Sequence, residues 1–526
     1  MRSAPGITPF WLLHLADIRA SSLIEMSEPV STAENSPLFP SVHMWDLFRR
    51  LAGASAVYGL ANFGIRALNF LLLPLYTRYL SPTDYGQISL AETFAAFLSL
   101  VIALGFDTAI ERMYFQHLDQ PKVLASYLGS ALKFALAATA CAILLTVTTG
   151  RPIFHTFAPH LDIPYRFLIW AIITSASAQF LQYQLVIFQS QGRAKSYGVL
   201  SVASFLITAS LAVGLVVFAG QGASGMLLGK LAAALIGLIV VLFLFSPVLC
   251  APFRWQYVRE TLALGIPLVP HQLMAGGLMA ADRFILSYYR DLREVGLYSI
   301  AYTFGGVMSL VTMSLSQAWA PIYYELARKN EEDRRRAMGR ICSELVLLLS
   351  AVACFGALIA QGFIAHFLDH RYIAAARIVP WIIGAYLAHS VFTTFMLAVM
   401  QAKRTQWLML VSFIALMANT ILNFALIPHW GMYGAAYATI AAYVVEMIVM
   451  YFVAQRLYYL SYDLPRITAA CSVFLIALAA TQCHWPDNRR WLAMVLTGAL
   501  CFGLLAALGL KHAVDLLRTR RPAFGS

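Results

Sequence analysis

The chain has 526 residues, 60% of them hydrophobic and only 12% charged, with a net charge of +12 and a mean hydropathy of +0.71. Soluble proteins carry roughly 25% charged residues, so a soluble globular fold is excluded, and the excess Lys and Arg is read as loop charge that orients membrane spans, not as a nucleic-acid surface. The seven cysteines (Cys141, Cys250, Cys342, Cys354, Cys471, Cys483 and Cys501) are odd in number and scattered through apolar runs, which argues against a disulfide framework or a metal ligand set.

Residues 1–43 mix Pro, Ser and acidic side chains and read as a disordered extension. The apolar stretch Phe10–Leu15 is too short for a signal peptide. Met44 opens MWDLFRRLAG, with basic residues just ahead of the first span, and looks like a natural start of translation. From there, apolar runs long enough to cross a hydrocarbon core of about 30 Å follow one another. Six spans are expected near 54–76, 88–106, 127–149, 166–188, 197–219 and 224–246. Six more are expected near 261–287, 297–319, 341–364, 378–400, 406–427 and 432–454, and a final pair near 465–482 and 491–510. The runs are continuous, unlike the alternating strands of a barrel. The fold class is therefore an all-α polytopic membrane protein of about 14 helices. Counting Lys and Arg near span ends gives about 22 on one side and about nine on the other, which places both termini in the cytoplasm.

Two stretches match at an offset of 210 residues: YGQISLAETFAAFLSL from Tyr85 and VGLYSIAYTFGGVMSL from Val295. Gly86/Gly296, Ser89/Ser299 and Thr93/Thr303 are among the identities, QGRAK at Gln191 answers QAKRT at Gln401, and Gly222 and Gly225 answer Gly431 and Gly434. Blocks in register imply a duplication. An even number of spans per copy gives a parallel repeat with sites expected between the copies near midplane. The expected division is an N-terminal six-helix lobe at 44–250, a C-terminal six-helix lobe at 251–456, and two extra helices with a basic cytoplasmic tail at 457–526.

Several polar residues stand out against this background. In the first span Tyr58, Asn62, Arg66 and Asn69 recur every three or four residues and share one face. A central Arg costs about 2.5–3.5 kcal/mol on insertion scales, so lipid exposure of Arg66 is implausible. Its two remaining roles are a structural pairing and an anion site in a cavity. Tyr302 belongs to a face of the eighth span rich in small residues, which also suits helix packing. Lys133 and Lys230 lie about two turns from span ends and could snorkel. Asp282-Arg283 lies near the end of span seven and Glu92 near a span end, whereas Glu446 is deeper. Substrate contact is assigned to Arg66, Asn62, Asn69, Tyr58, Lys133, Arg283 and Tyr302, and ion coupling to Glu446, Glu92 and Asp282. For each carboxylate a structural pair is the competing role. No metal site or cofactor is expected. SGMLLGKL around Lys230 lacks the glycine spacing and the Ser or Thr of a phosphate loop, and no loop is long enough to hold a catalytic domain.

LLLPLYTRYLSPTDYGQISL (71–90), ADRFILSYYRDLREVGLYSIAYTF (281–304) and NTILNFALIPHWGMYGAAYAT (419–439) resemble, in order, the Wzx-type polysaccharide-biosynthesis flippases. That superfamily also holds MATE exporters and lipid II flippases, and the resemblance spans roughly residues 45–455. It implies a V-shaped pair of bundles, alternating access and an undecaprenyl-pyrophosphate-linked oligosaccharide carried across a bacterial inner membrane for O-antigen, capsule or exopolysaccharide. The expected partners are that substrate, membrane lipids, a coupling ion (H+ or Na+) and polysaccharide polymerase machinery, with no nucleic acid. Arg66 resembles a first-span Arg in the cationic cavity of lipid II flippases. Relatives often carry a basic residue after the Ala-Tyr of span eight, where this chain has Thr303. The alternatives are a MATE-like small-molecule exporter, which calls for more acidic cavity residues, and a membrane-embedded polymerase or ligase, which calls for a large outer loop.

Overall fold

The computed structural model describes residues 44–157, 163–327, 332–483 and 487–519; the N-terminal extension 1–43 lies outside them. The described residues form helices and no strands. In chain order these are α1 (Met44–Tyr79), α2 (Pro82–Ala103), α3 (Phe106–Gln116), α4 (Pro121–Phe157), α5 (Tyr165–Ser190), α6 (Ala194–Val213) and α7 (Gly222–Leu249). The connecting helix α8 (Trp255–Gly265) follows, then α9 (Val269–Tyr289), α10 (Leu292–Ala327), α11 (Glu332–Phe367), α12 (Val379–Gln401), α13 (Gln406–Leu457), α14 (Leu464–Gln482) and α15 (Asp487–Thr519). Eleven helices among the described residues are long and apolar enough to cross a membrane. The chain is an all-α polytopic membrane protein, and each expected span falls on a helix.

One of those helices is two segments. Inside α13, Gly431 takes φ 53° and ψ −130°, a region that only glycine visits without strain. The break exposes backbone groups on both sides, and both are capped from the α9–α10 corner. Arg290 donates to the Pro428 carbonyl (3.0 Å), and the Met432 N–H donates to Glu294 (2.8 Å). A cation thus meets the carboxyl end of one helix and a carboxylate the amino end of the next, as the helix dipoles favour.

Span seven departs from expectation. Its first residues, 261–265, belong instead to α8, whose sequence WQYVRETLALG carries Arg259 and Glu260 on one face. A 3-10 turn at Ile266–Leu268, containing Pro267, separates α8 from α9. The connector leading into α8 is pinned to α4: Lys133 Nζ and Ser126 donate to the carbonyls of Ala251 and Pro252 (2.7 and 2.9 Å). The Arg254 N–H donates to Ser130 (2.9 Å), and Tyr127 and Thr261 hydroxyls meet at 2.8 Å.

The two repeat copies touch through matching residues. A Cβ on Gly86 would overlap the Leu292 carbonyl, and a Cβ on Gly296 would overlap the Pro82 carbonyl. Only glycines permit so close a backbone approach. Beside them Ser299 donates to its counterpart Ser89 (2.6 Å). Contacts that pair a residue with its own equivalent are the mark of a two-fold relation. At the same end, the 3-10 segment His370–Arg377 reaches α1: Arg371 donates to the carbonyls of Thr77 and Arg78 (3.3 and 3.2 Å), and Tyr372 to that of Leu80 (3.0 Å).

Candidate functional site

Helix faces separate lipid-facing from interior positions. On α1, Phe63, Leu68 and Leu71 are exposed apolar residues on one side. Asn62, Arg66 and Asn69 lie on the opposite side at 100° per residue. Arg66 and Asn69 are exposed. Asn62 accepts from the Tyr197 hydroxyl of α6 (3.3 Å). The side chain of Tyr58, the fourth member of the expected stripe, lies outside the described residues.

Arg66 is within electrostatic range of the Tyr386 hydroxyl on α12, and so is Arg283 on α9. Arg283 sits over the Tyr302 ring at 4.6 Å, a cation–π arrangement, and donates to the Met279 carbonyl (2.9 Å). Its Nε has no protein partner. Tyr302 and Tyr386 rings are 6.0 Å apart. Arg283 and Tyr302, two of the expected substrate residues, thus lie beside Tyr386, and Arg66 is within electrostatic range of it. Lys133 does not join them, because its ammonium is committed to the α8 connector.

Asp282, adjacent to Arg283, is fully buried. It accepts from the Tyr298 hydroxyl (2.5 Å), which is 3.1 Å from Thr439. On α13, Asn423 donates to Asn419 (2.8 Å), leaving Asn419 Nδ2 and Asn423 Oδ1 without a protein partner although both residues are buried. Leu416 of α13 packs on Gly277 of α9. These helices run the same way, so Asn419 and Asn423 lie about level with Asp282.

Glu446 has a partner that the sequence did not suggest. His389 Nδ1 lies 2.9 Å from its carboxylate, and the His389 ring is 5.0 Å from that of Tyr443. Tyr443 lies 6.3 Å from Tyr386, so a continuous line of polar aromatic groups joins Glu446 to the arginine site. The pattern available in the sequence was the i, i+3 spacing of Tyr386/His389 and of Tyr443/Glu446, which puts each pair on one helix face. Glu92 pairs with Lys230 at 2.5 Å. Helix α2 begins at Pro82, earlier than expected, so Glu92 is nearly three turns inside it and not near its end.

A groove of about 760 Å³ runs between α11 and α15, walled by Phe355, Leu358, Phe363, Val495, Phe502 and Leu505 among others. Phe363 also packs on Phe70 of α1 and Phe304 of α10, which ties the groove wall to the helices that carry the interior site.

The chain belongs to a family described as "Polysaccharide biosynthesis protein", whose model matches residues 52–327, just over half of it. A protein named "Lsg locus putative protein 1" from Haemophilus influenzae is 23% identical over 287 residues, covering 53% of this chain and 67% of its own. Among solved structures, the lipid II flippase MurJ in an inward closed conformation aligns with a TM-score of 0.66 at 16% identity, over 87% of this chain and all of MurJ. An outward-facing MATE family multidrug transporter aligns with a TM-score of 0.50 at 13% identity, over 80% of this chain and 97% of its own. The fold is that of flippases and drug transporters.

Proposed function

We propose that this protein carries an undecaprenyl-pyrophosphate-linked oligosaccharide from the inner to the outer leaflet of a bacterial inner membrane, using two six-helix lobes that alternate access to a shared cavity. The observation that carries this reading is the Arg283 guanidinium lying over the Tyr302 ring beside Tyr386, with Arg66 of the N-terminal copy within electrostatic range of the same tyrosine. A sugar–pyrophosphate head loses its water inside a membrane at a cost of many kcal/mol. Two guanidinium groups can replace that water with bidentate, charge-assisted hydrogen bonds. The apolar groove between α11 and α15 offers a path for the polyprenyl tail while the head occupies the cavity. A MATE-like exporter of cations would need free carboxylates facing that space. Asp282, Glu446 and Glu92 are each paired instead.

Coupling is assigned to the C-terminal half, to the buried Asp282 carboxylate and to Glu446 beside His389. A ligand bound unequally by two states shifts the balance between them.

The test uses Arg66→Gln and Arg283→Gln in cells and in nanodiscs. Each variant should reach normal membrane abundance, lose most glycan export and bind undecaprenyl pyrophosphate at least about tenfold more weakly. Native export by an abundant Arg66→Gln variant would remove Arg66 from the site. Orientation is tested separately, in a background without native cysteines. Gln221→Cys should react with an impermeant thiol reagent in intact cells and Gln191→Cys should not; the reverse would invert the topology.

A further inference from the structure

The ion pair Glu92–Lys230 has no part in the site described so far. We infer that Lys230 is a further anion ligand of the cavity, held by Glu92 until a pyrophosphate takes the carboxylate's place. The inference rests on the substrate class proposed above.

Leu235, Ile239 and Phe243 are exposed on one side of α7, and Lys230 lies on the opposite side at 100° per residue. It therefore points into the bundle. Yet the Lys230 and Glu92 side chains keep 26% and 41% of their exposure, so the space they face is open. Both sit well inside the span: Lys230 is eight residues into α7, about 12 Å along its axis.

Two other cations in the spans are held by carbonyl groups that an anion would not replace. Lys133 is bound to the Ala251 carbonyl, and Arg466 to the Leu508 carbonyl and Glu344. An ammonium has three donors, and among the described residues the one partner of Lys230 is a single Glu92 oxygen. Exchanging the carboxylate for another anion keeps the ammonium paired and leaves no bare charge in the span.

The repeat strengthens the assignment. The 210-residue offset takes Glu92 to Tyr302, and the 209-residue offset of Gly222/Gly431 takes Lys230 to Thr439. Tyr302 lies under the Arg283 guanidinium, and Thr439 meets the Tyr298 hydroxyl that holds Asp282. The pair thus occupies, in the N-terminal copy, the place that the arginine and carboxylate network occupies in the C-terminal one. Glu92 acts as an internal stand-in for the substrate's phosphate: displaced on binding, it competes for Lys230 again and promotes release.

The experiment measures binding of undecaprenyl pyrophosphate to the full-length protein in nanodiscs, together with glycan export in cells. Glu92→Gln should bind the probe about tenfold more tightly and export more slowly, and Lys230→Met should bind about tenfold more weakly. Lys230→Arg should retain binding. In the double variant Glu92→Gln/Lys230→Met the tightening should vanish, because it acts through the ammonium. A purely structural pair would lower the melting temperature in both single variants and leave the dissociation constant unchanged, which overturns the inference. If the wild type binds the probe and Glu92→Gln binds it equally, this inference alone fails. If the wild type binds no pyrophosphate lipid, the substrate reading fails with it.

Discussion

A cation inside a membrane is either held by the protein or turned toward water, and the basic residues of this chain divide along that line. Lys133 is held by a carbonyl; Arg66 is exposed, on the side of its helix away from Leu68 and Leu71. The periodic stripe Asn62–Arg66–Asn69 was legible in the sequence because its members sit within one helix and obey one period. The partner of Glu446 was not legible. His389 lies 57 residues earlier in the chain, on a different helix, and only the packing of α12 on α13 joins the two. The same limit applied to Lys133, whose residue type suited a cavity and whose carbonyl partner is 118 residues away. Glu446→Gln keeps the size of the side chain and removes its titration. If the His389–Glu446 pair takes the coupling proton, export by this variant in proteoliposomes should stop responding to an imposed proton gradient while its abundance stays normal. An unchanged dependence on both proton and sodium gradients would take Glu446 out of coupling.

Helix boundaries were legible where glycine, proline or charge interrupts an apolar run, and were misplaced where a helix starts with polar residues. Ser81-Pro82-Thr83-Asp84 reads as a loop by hydropathy, but Ser81 and Asp84 form a reciprocal cap and begin α2 six residues before the apolar run. The break at Gly431 was expected from two separate apolar runs, and the structure adds the reason it is stable: Arg290 and Glu294 satisfy both of its ends. The N-terminal copy repeats the arrangement in weaker form, with Asp84 beside Gly222, whose φ is 55°. Gly431→Ala should therefore destabilise the protein by about 1–3 kcal/mol through backbone strain, and its Cβ would also push against the Glu294 carboxylate. Gly237→Ala is the control, since nothing lies within 4 Å of the added methyl. Thermal unfolding in detergent should show a lower midpoint for the first variant and no drop for the second. Equal midpoints would mean the break at 431 is not under backbone constraint.

At the scale of the whole molecule, the duplication seen in the sequence became a physical contact. Two of the identical pairs, Gly86/Gly296 and Ser89/Ser299, meet across the contact. Similarity was kept where each copy has to fit the other's backbone. The interior instead diverged: Glu92 faces Lys230 in one copy, and Tyr302 lies under Arg283 in the other. Under the function proposed above, symmetry at the contact and asymmetry in the cavity suit two halves that rock against each other around an anionic head.

Such rocking requires α2 and α10 to part at the end where Gly86 and Gly296 now touch. Elsewhere α2 meets the C-terminal copy through Phe97 and Leu100 against Gly276, so one helix borders the cavity at both of its ends. The Ser89 and Ser299 hydroxyls are 2.6 Å apart, close enough that cysteines at both positions approach disulfide geometry. In a background without native cysteines, the double variant Ser89→Cys/Ser299→Cys should cross-link under mild oxidation. Glycan export should then fall to background and recover on reduction, while abundance stays constant. A structural contact that never opens predicts something else: the cross-link forms, and the oxidised protein exports at the rate of the reduced one. That result would place the moving boundary elsewhere and leave the α2–α10 crossing as a fixed hinge.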